Sequence, residues 1–162
     1  MKKESGNYLF SLQYQPVAYM VLMDNEHLPV DREGFTREER EYGKFEYFTL
    51  RIKKNDDADK SDPLTYNFDS EEQYDSLLHY FETDMKKDFR LITGDDSCIA
   101  SSIRYARENE RGEFNNFLIS FPAADHSNVN RTFVFNDRLL HTGMIRFTLQ
   151  ATTLSKVPEL KL

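Results

Sequence analysis

Tryptophan is absent from this chain, and cysteine occurs once, at Cys98. The first absence removes the flat indole platform on which many sugar sites are built. The second excludes an intramolecular disulfide framework. A lone cysteine suits the cytosol and equally a surface protein that needs no bridge, and its simplest reading is a small buried hydrophobe. No apolar run is long enough to span a bilayer.

Positive charge is scarce as well, with 21 Lys and Arg against 28 Asp and Glu and a net charge of −7. Such a chain repels phosphate backbones unless its basic residues are segregated. Lys53 with Lys54 and Lys86 with Lys87 form short basic pairs, each with acids close by. Nucleic acid is therefore not an expected partner. Also missing are a phosphate-binding loop, a dinucleotide fingerprint, G-x-S-x-G and H-E-x-x-H.

What remains is a chain rich in rings. Its 162 residues include 13 Phe and 9 Tyr, enough to fill a core without disulfides or metals. Period-two alternation dominates and predicts strands over 8–14, 17–23, 45–53, 114–121, 131–136 and 144–150. In 45–53, Phe48, Leu50 and Ile52 share one face; in 114–121, Phe117, Ile119 and Phe121 do so. Pro16 breaks the first two strands apart, because it cannot donate to a ladder.

The stretch 69–89 reads differently. Tyr74, Leu77, Leu78, Phe81 and Met85 recur at spacings of three and four, which defines one helical face. Ser70 followed by Gln73 is a capping-box start. Residues 95–108 fit either period and are read as strand, leading through a turn-rich "NERGE" into the next strand. Loops are expected at 24–44, 54–63 and 122–130, the first with a helical turn at "TREERE".

The densest polar stretch among apolar neighbours is "FNDRLLHTGMIRF", residues 135–147, with Asp137, Arg138 and His141 close together. It reads as a hairpin, Gly143 supplying the positive φ of the return. As a catalytic group His141 would need a nucleophile or metal beside it, and the local sequence holds neither. Asp125 and His126 sit in a predicted loop and complete, with His141, the catalytic candidates. Asp95 and Asp96 are further carboxylates for an acid/base site assembled from distant segments.

"NDDADKSDP" holds the calcium candidates Asp57, Asp59 and Asp62. Starting from Asp57, an EF-hand loop would need Gly sixth and Glu twelfth, where Asp62 and Phe68 stand instead. The histidines His27, His79, His126 and His141 show no metal-ligand spacing. No cofactor is implied. Asn130, Arg131 and Thr132 form a glycosylation sequon, which matters only in a eukaryotic secretory pathway.

The expected fold is mainly β, α+β by strict count: an antiparallel β-sandwich or curved sheet of about eight strands with one amphipathic helix packed on it. It is expected to be one domain over 1–162, with a short flexible polar leader over about residues 1–6. That leader has no apolar signal segment, yet it resembles the polar stretch that follows the lipid-bearing cysteine of mature bacterial lipoproteins. The leading expectation is a non-enzymatic binding or assembly module of a bacterial cell envelope, the soluble part of a lipoprotein. Its protein or glycan ligand would be held by loops or by an unpaired sheet edge. Without a trimmed N-terminus the location would be cytoplasmic. The alternatives are an enzyme using the distant Asp and His residues above, and an acidic accessory protein that masks a basic partner.

Overall fold

Alternation along the strands becomes two antiparallel sheets that face each other across one aromatic core. The computed structural model describes residues 1–25, 31–56, 58–59, 61–65, 67–108, 114–124 and 128–155. Among these residues the strands are, in chain order, β1 (Lys2–Ser5), β2 (Tyr8–Gln15), β3 (Phe45–Lys54), β4 (Phe89–Thr93), β5 (Asp96–Ile99), β6 (Ser102–Glu108), β7 (Phe114–Pro122), β8 (Arg131–Asp137) and β9 (Gly143–Leu149). The helices are α1 (Val17–Asp24), α2 (Arg32–Tyr42), α3 (Glu71–Thr83) and the short α4 (Ala151–Leu154). The first sheet has the order β1-β2-β3-β7-β6 and the second β5-β4-β8-β9.

The sheets meet through phenylalanines. Phe133 of β8 lies 5.5 Å from Phe48 and 5.8 Å from Phe121, ring centre to ring centre, both in the first sheet. Phe89 stacks on Phe135 at 4.6 Å within the second sheet. Rings at these separations add edge and stacking attraction to the burial of their area. On one flank the chain itself joins the sheets: β5 belongs to the second, Ala100 is buried at the corner, and β6 belongs to the first.

Helix α3 forms where the spacing predicts it. Ser70 Oγ accepts from Gln73 N at 3.4 Å, while the Gln73 side chain reaches back to accept from Asp69 N at 2.7 Å. Its Leu77 and Phe81 are buried, and Phe81 packs on Tyr105 and Phe117 of the first sheet at 4.8 and 5.2 Å. The helix thus closes the core over β6 and β7.

Four expectations need correction. Residues 17–23 form α1 instead of a strand. Seven successive apolar residues carry no period, and the chain leaves the ladder at Pro16, whose φ of −61° and ψ of 144° start the helix. Only Met20 and Val21 of α1 are buried, while Tyr19, Leu22 and Met23 face outward. The expected loop 24–44 contains the full helix α2, started by Asp31, which accepts from Gly34 N at 2.7 Å. Its single buried residue, Phe35, left too faint a pattern to read. Residues 95–108 are strand, but two strands in different sheets. The polar stretch read as a leader holds β1, paired antiparallel with β2.

Helices α1 and α2 sit on the outer face of the first sheet. Tyr42 packs on Tyr47 at 6.0 Å, and Asp24 pairs with Arg104 at 3.6 Å. Tyr42 also donates its hydroxyl to Asp24, and this bond, followed by burial, pushes the phenol up to about 12. Among the described residues no helix is long and apolar enough to cross a membrane.

Candidate functional site

The stretch 135–147 is a hairpin built around one carboxylate. Asp137 ends β8 and is buried. Its oxygens accept from Leu139 N, Leu140 N and Thr142 N at 2.9, 3.0 and 2.9 Å, and from Thr142 Oγ1 at 2.6 Å. Gly143 pairs opposite Asp137 with φ of +80°, and His141 takes a φ of 55° on the exposed turn. Arg138 reaches sideways to the buried Asp88 at 2.9 Å, and Tyr80 of α3 donates to the same carboxylate. Burial first, then that bond, raises the Tyr80 phenol. The polar residues of this stretch therefore brace the turn and tie it to α3.

Replacing Asp137 with Ala leaves these loop donors without their acceptor and is expected to cost about 1–3 kcal/mol. Faster amide exchange at Leu139, Leu140 and Thr142, with a lower urea midpoint, checks this. His141→Asn, which suits the same backbone region, is expected to change stability by less than about 0.5 kcal/mol.

The other catalytic candidates do not gather around His141. Asp125 and His126 lie outside the described residues. Asp95 and Asp96 are exposed at the β4–β5 turn, beyond Thr93, which pairs with Arg131 at the start of β8. His141 lies past the other end of β8, a strand of seven residues. That separation is about 20 Å at ~3.3 Å per residue. His79 is exposed on α3, and His27 lies outside the described residues.

The calcium candidates fold their own loop. Asp59 accepts from Lys54 Nζ at 2.7 Å and from Ser61 N and Oγ at 3.0 and 2.6 Å. The lysine first, then the serine, holds its carboxyl well below the usual range. Asp62 is buried and accepts from Leu64 N and Asn115 Nδ2, both at 2.9 Å. Asn115 in turn accepts from Tyr105 OH at 2.5 Å, so this chain of bonds pins the loop to β6 and β7. Asp57 lies outside the described residues, among which no three metal-ligating side chains cluster. Asn130 of the sequon uses its side-chain oxygen to accept from Ala151 N at 2.9 Å, at the start of α4.

Cys98 is half-buried on β5, beside a cavity of about 230 Å³ that Thr93, Asp96 and Pro122 also line. Burial first, then the Glu46 charge, pushes its thiol up. A nucleophilic cysteine needs the opposite shift. A thiol reagent at pH 8 is expected to label Cys98 several-fold more slowly than free cysteine, and urea is expected to restore the ordinary rate.

Two features escaped the sequence reading. One is a buried ion pair joining the sheets: Arg131 Nε donates to both oxygens of Glu46, at 3.0 and 3.1 Å. The other is a groove of about 820 Å³ at the flank opposite the β5–β6 corner, where β1 and β2 approach the end of β9 and α4. Leu12, Tyr14, Leu149 and Leu154 give it an apolar wall, and Lys2, Arg51 and Lys53 lie around it. Arg51 and Lys53 both stand over the Phe114 ring, at 5.3 and 5.9 Å. Its residues come from four separate segments, so no local pattern announces it. Set against models of known protein families, against curated proteins and against solved structures, the chain matches none of them.

Proposed function

We propose that this protein is a non-enzymatic binding module of a bacterial cell envelope, and that the groove beside β2, β9 and α4 is its ligand-facing surface. The observation that carries the reading is the asymmetry of the sandwich. One flank is closed by the chain passing through Ala100, and the other opens into an apolar-walled concavity of about 820 Å³. Ligand sites are commonly concavities of this size and lining. The separation of His141 from Asp95 and Asp96 favours binding over acid/base chemistry, which needs its groups within hydrogen-bond reach of one substrate.

Hydrogen–deuterium exchange on the full chain, with a panel of synthetic peptides and soluble oligosaccharides, tests the module. Protection at residues 12–15 and 148–154 on adding a panel member supports it. A panel that leaves these amides unchanged, or turnover of any member, overturns it. The envelope placement has its own test in the mass of the N-terminal peptide from the native source. A lipid-bearing cysteine ahead of Lys2 supports the tether, and an unmodified Met1 removes it.

A further inference from the structure

Among the described residues nine polar or charged side chains are buried, and eight of them are hydrogen-bonded. The ninth is Thr93, the last residue of β4, which is 6% exposed. Its hydroxyl has no partner among the described residues. Buried polar groups are almost always paired, so something else must satisfy this one. No side-chain oxygen or nitrogen among the described residues is both sealed off and unpaired, so the Thr93 hydroxyl keeps an opening. Thr93 opens onto the cavity of about 230 Å³ beside β5.

Register fixes what stands beside that hydroxyl. Asp96 pairs directly opposite Thr93 in the β4–β5 ladder, so both side chains leave the same face of the sheet. Asp96 also lines the cavity, and its exposed carboxylate has no ion pair or hydrogen bond among the described residues. It is the one charged side chain among the described residues of the lining. On the other side of Thr93 stands Arg131, whose guanidinium is already held by Glu46 and Val129 O. The rest of the wall is mostly apolar, with Leu91, Pro122 and Ala123 beside Cys98. The volume falls below the about 300–1,000 Å³ of sites for larger ligands, so an occupant has few heavy atoms. A hydroxyl acceptor beside an unpaired carboxylate selects a cationic N–H donor, and the apolar wall selects a short hydrocarbon chain.

We propose that this cavity is a second binding site, for a primary ammonium group carried on a short apolar chain. The ammonium donates to Thr93 Oγ1 and to the Asp96 carboxylate, and the chain lies against Leu91 and Pro122. Such a group occurs on free alkylamines and at the end of a lysine side chain. The site is on the β5 flank, apart from the groove, and does not depend on the groove being a ligand surface. Cys98 takes no part in the recognition, and its thiol in the wall reports occupancy.

The probe is n-butylammonium chloride, titrated into the full chain at constant ionic strength. Amide shifts at Thr93 and Asp96 follow it, together with Cys98 labelling at pH 8, where the ammonium stays charged. Saturable shifts and several-fold slower labelling are expected. Thr93→Val keeps the shape and removes the hydroxyl, and is expected to weaken binding about tenfold. Asp96→Asn, at an exposed position, is expected to weaken it to a similar degree, and n-butanol to bind about tenfold more weakly than the amine. Equal binding of n-butanol, or unchanged affinity in Asp96→Asn, would overturn the cationic preference. Unchanged affinity in a folded Thr93→Val would overturn the hydroxyl as the anchor. Neither shifts nor slower labelling with the amine would overturn the site and leave the cavity to water. Nα-acetyl-lysine methylamide separates the two sources. If it protects Cys98 as well as the amine does, the site is supported as one for a lysine side chain; protection by n-butylammonium alone supports it as one for a free amine.

Discussion

Glu46→Ala is expected to lower the unfolding free energy by about 3–5 kcal/mol, because it strands a buried guanidinium. Arg131 is 4% exposed and has two hydrogen bonds to that carboxylate, with a further one to Val129 O at 2.5 Å. Arg131→Ala is expected to cost as much, because it strands the carboxylate instead. It would leave the Glu46 carboxylate with Ala124 N, at 3.5 Å. Replacing both residues with methionine removes the desolvated charges together and is expected to return stability to within about 1 kcal/mol of the parent, or above it. The parent, the two alanine variants and their double alanine variant form a double-mutant cycle in urea, with the double methionine variant as a separate comparison. A cost below about 1 kcal/mol for Glu46→Ala would show the pair to be solvated and worth no more than a surface bridge. A second readout is independent of stability. Burial and then Glu46 raise the Tyr14 phenol while Arg131 opposes them, so Glu46→Ala is expected to bring the Tyr14 phenol down.

Phe133→Ala is expected to cost about 3–5 kcal/mol, by lost transfer energy and the cavity left behind. The ring is fully buried and reaches Phe48 and Phe121 across the sheets, and Phe89 and Phe147 within its own. Those neighbours sit on paired strands, so they cannot close the gap without shifting a ladder. Domains of this kind have about 5–15 kcal/mol in total, so the loss is expected to bring the variant close to its unfolding threshold. Phe114→Ala is the control. That ring lies half-buried on the outer face under Arg51 and Lys53, and its removal is expected to cost about 1 kcal/mol. Comparable losses for the two variants in urea unfolding would contradict the central place of Phe133.

The buried pair was more legible than the reading made it. Glu46 shares its parity with Phe48, Leu50 and Ile52, and Arg131 shares its parity with Phe133 and Phe135. Alternation alone puts both charges on inward faces, where opposite charges require each other. Asp137 follows the same rule at the far end of β8, and Asn115 at the start of β7. Asp59 and Asp62 carried the opposite lesson. Their density made them calcium candidates although Asp62 stands where an EF-hand loop needs Gly, and each accepts instead from a loop neighbour.

Sequence alone determined the strands with one buried face, the capped helix α3, the polar hairpin at 137–143 and the aromatic supply of the core. Each of these depends on residues within one or two turns or strand periods, and so leaves a local trace. Tertiary structure decided the rest. Helix α1 is a helix because its apolar residues need only cover the outer face of a sheet built from distant segments. Strand β1 has no apolar residue to mark it, and its place comes from the open edge of β2 that accepts its backbone. The division of β5 and β6 between two sheets, and the groove on the opposite flank, follow from how the sheets close on each other. No stretch of chain records that geometry, because burial at those positions is a property of the packed layers and is absent from any strand considered alone.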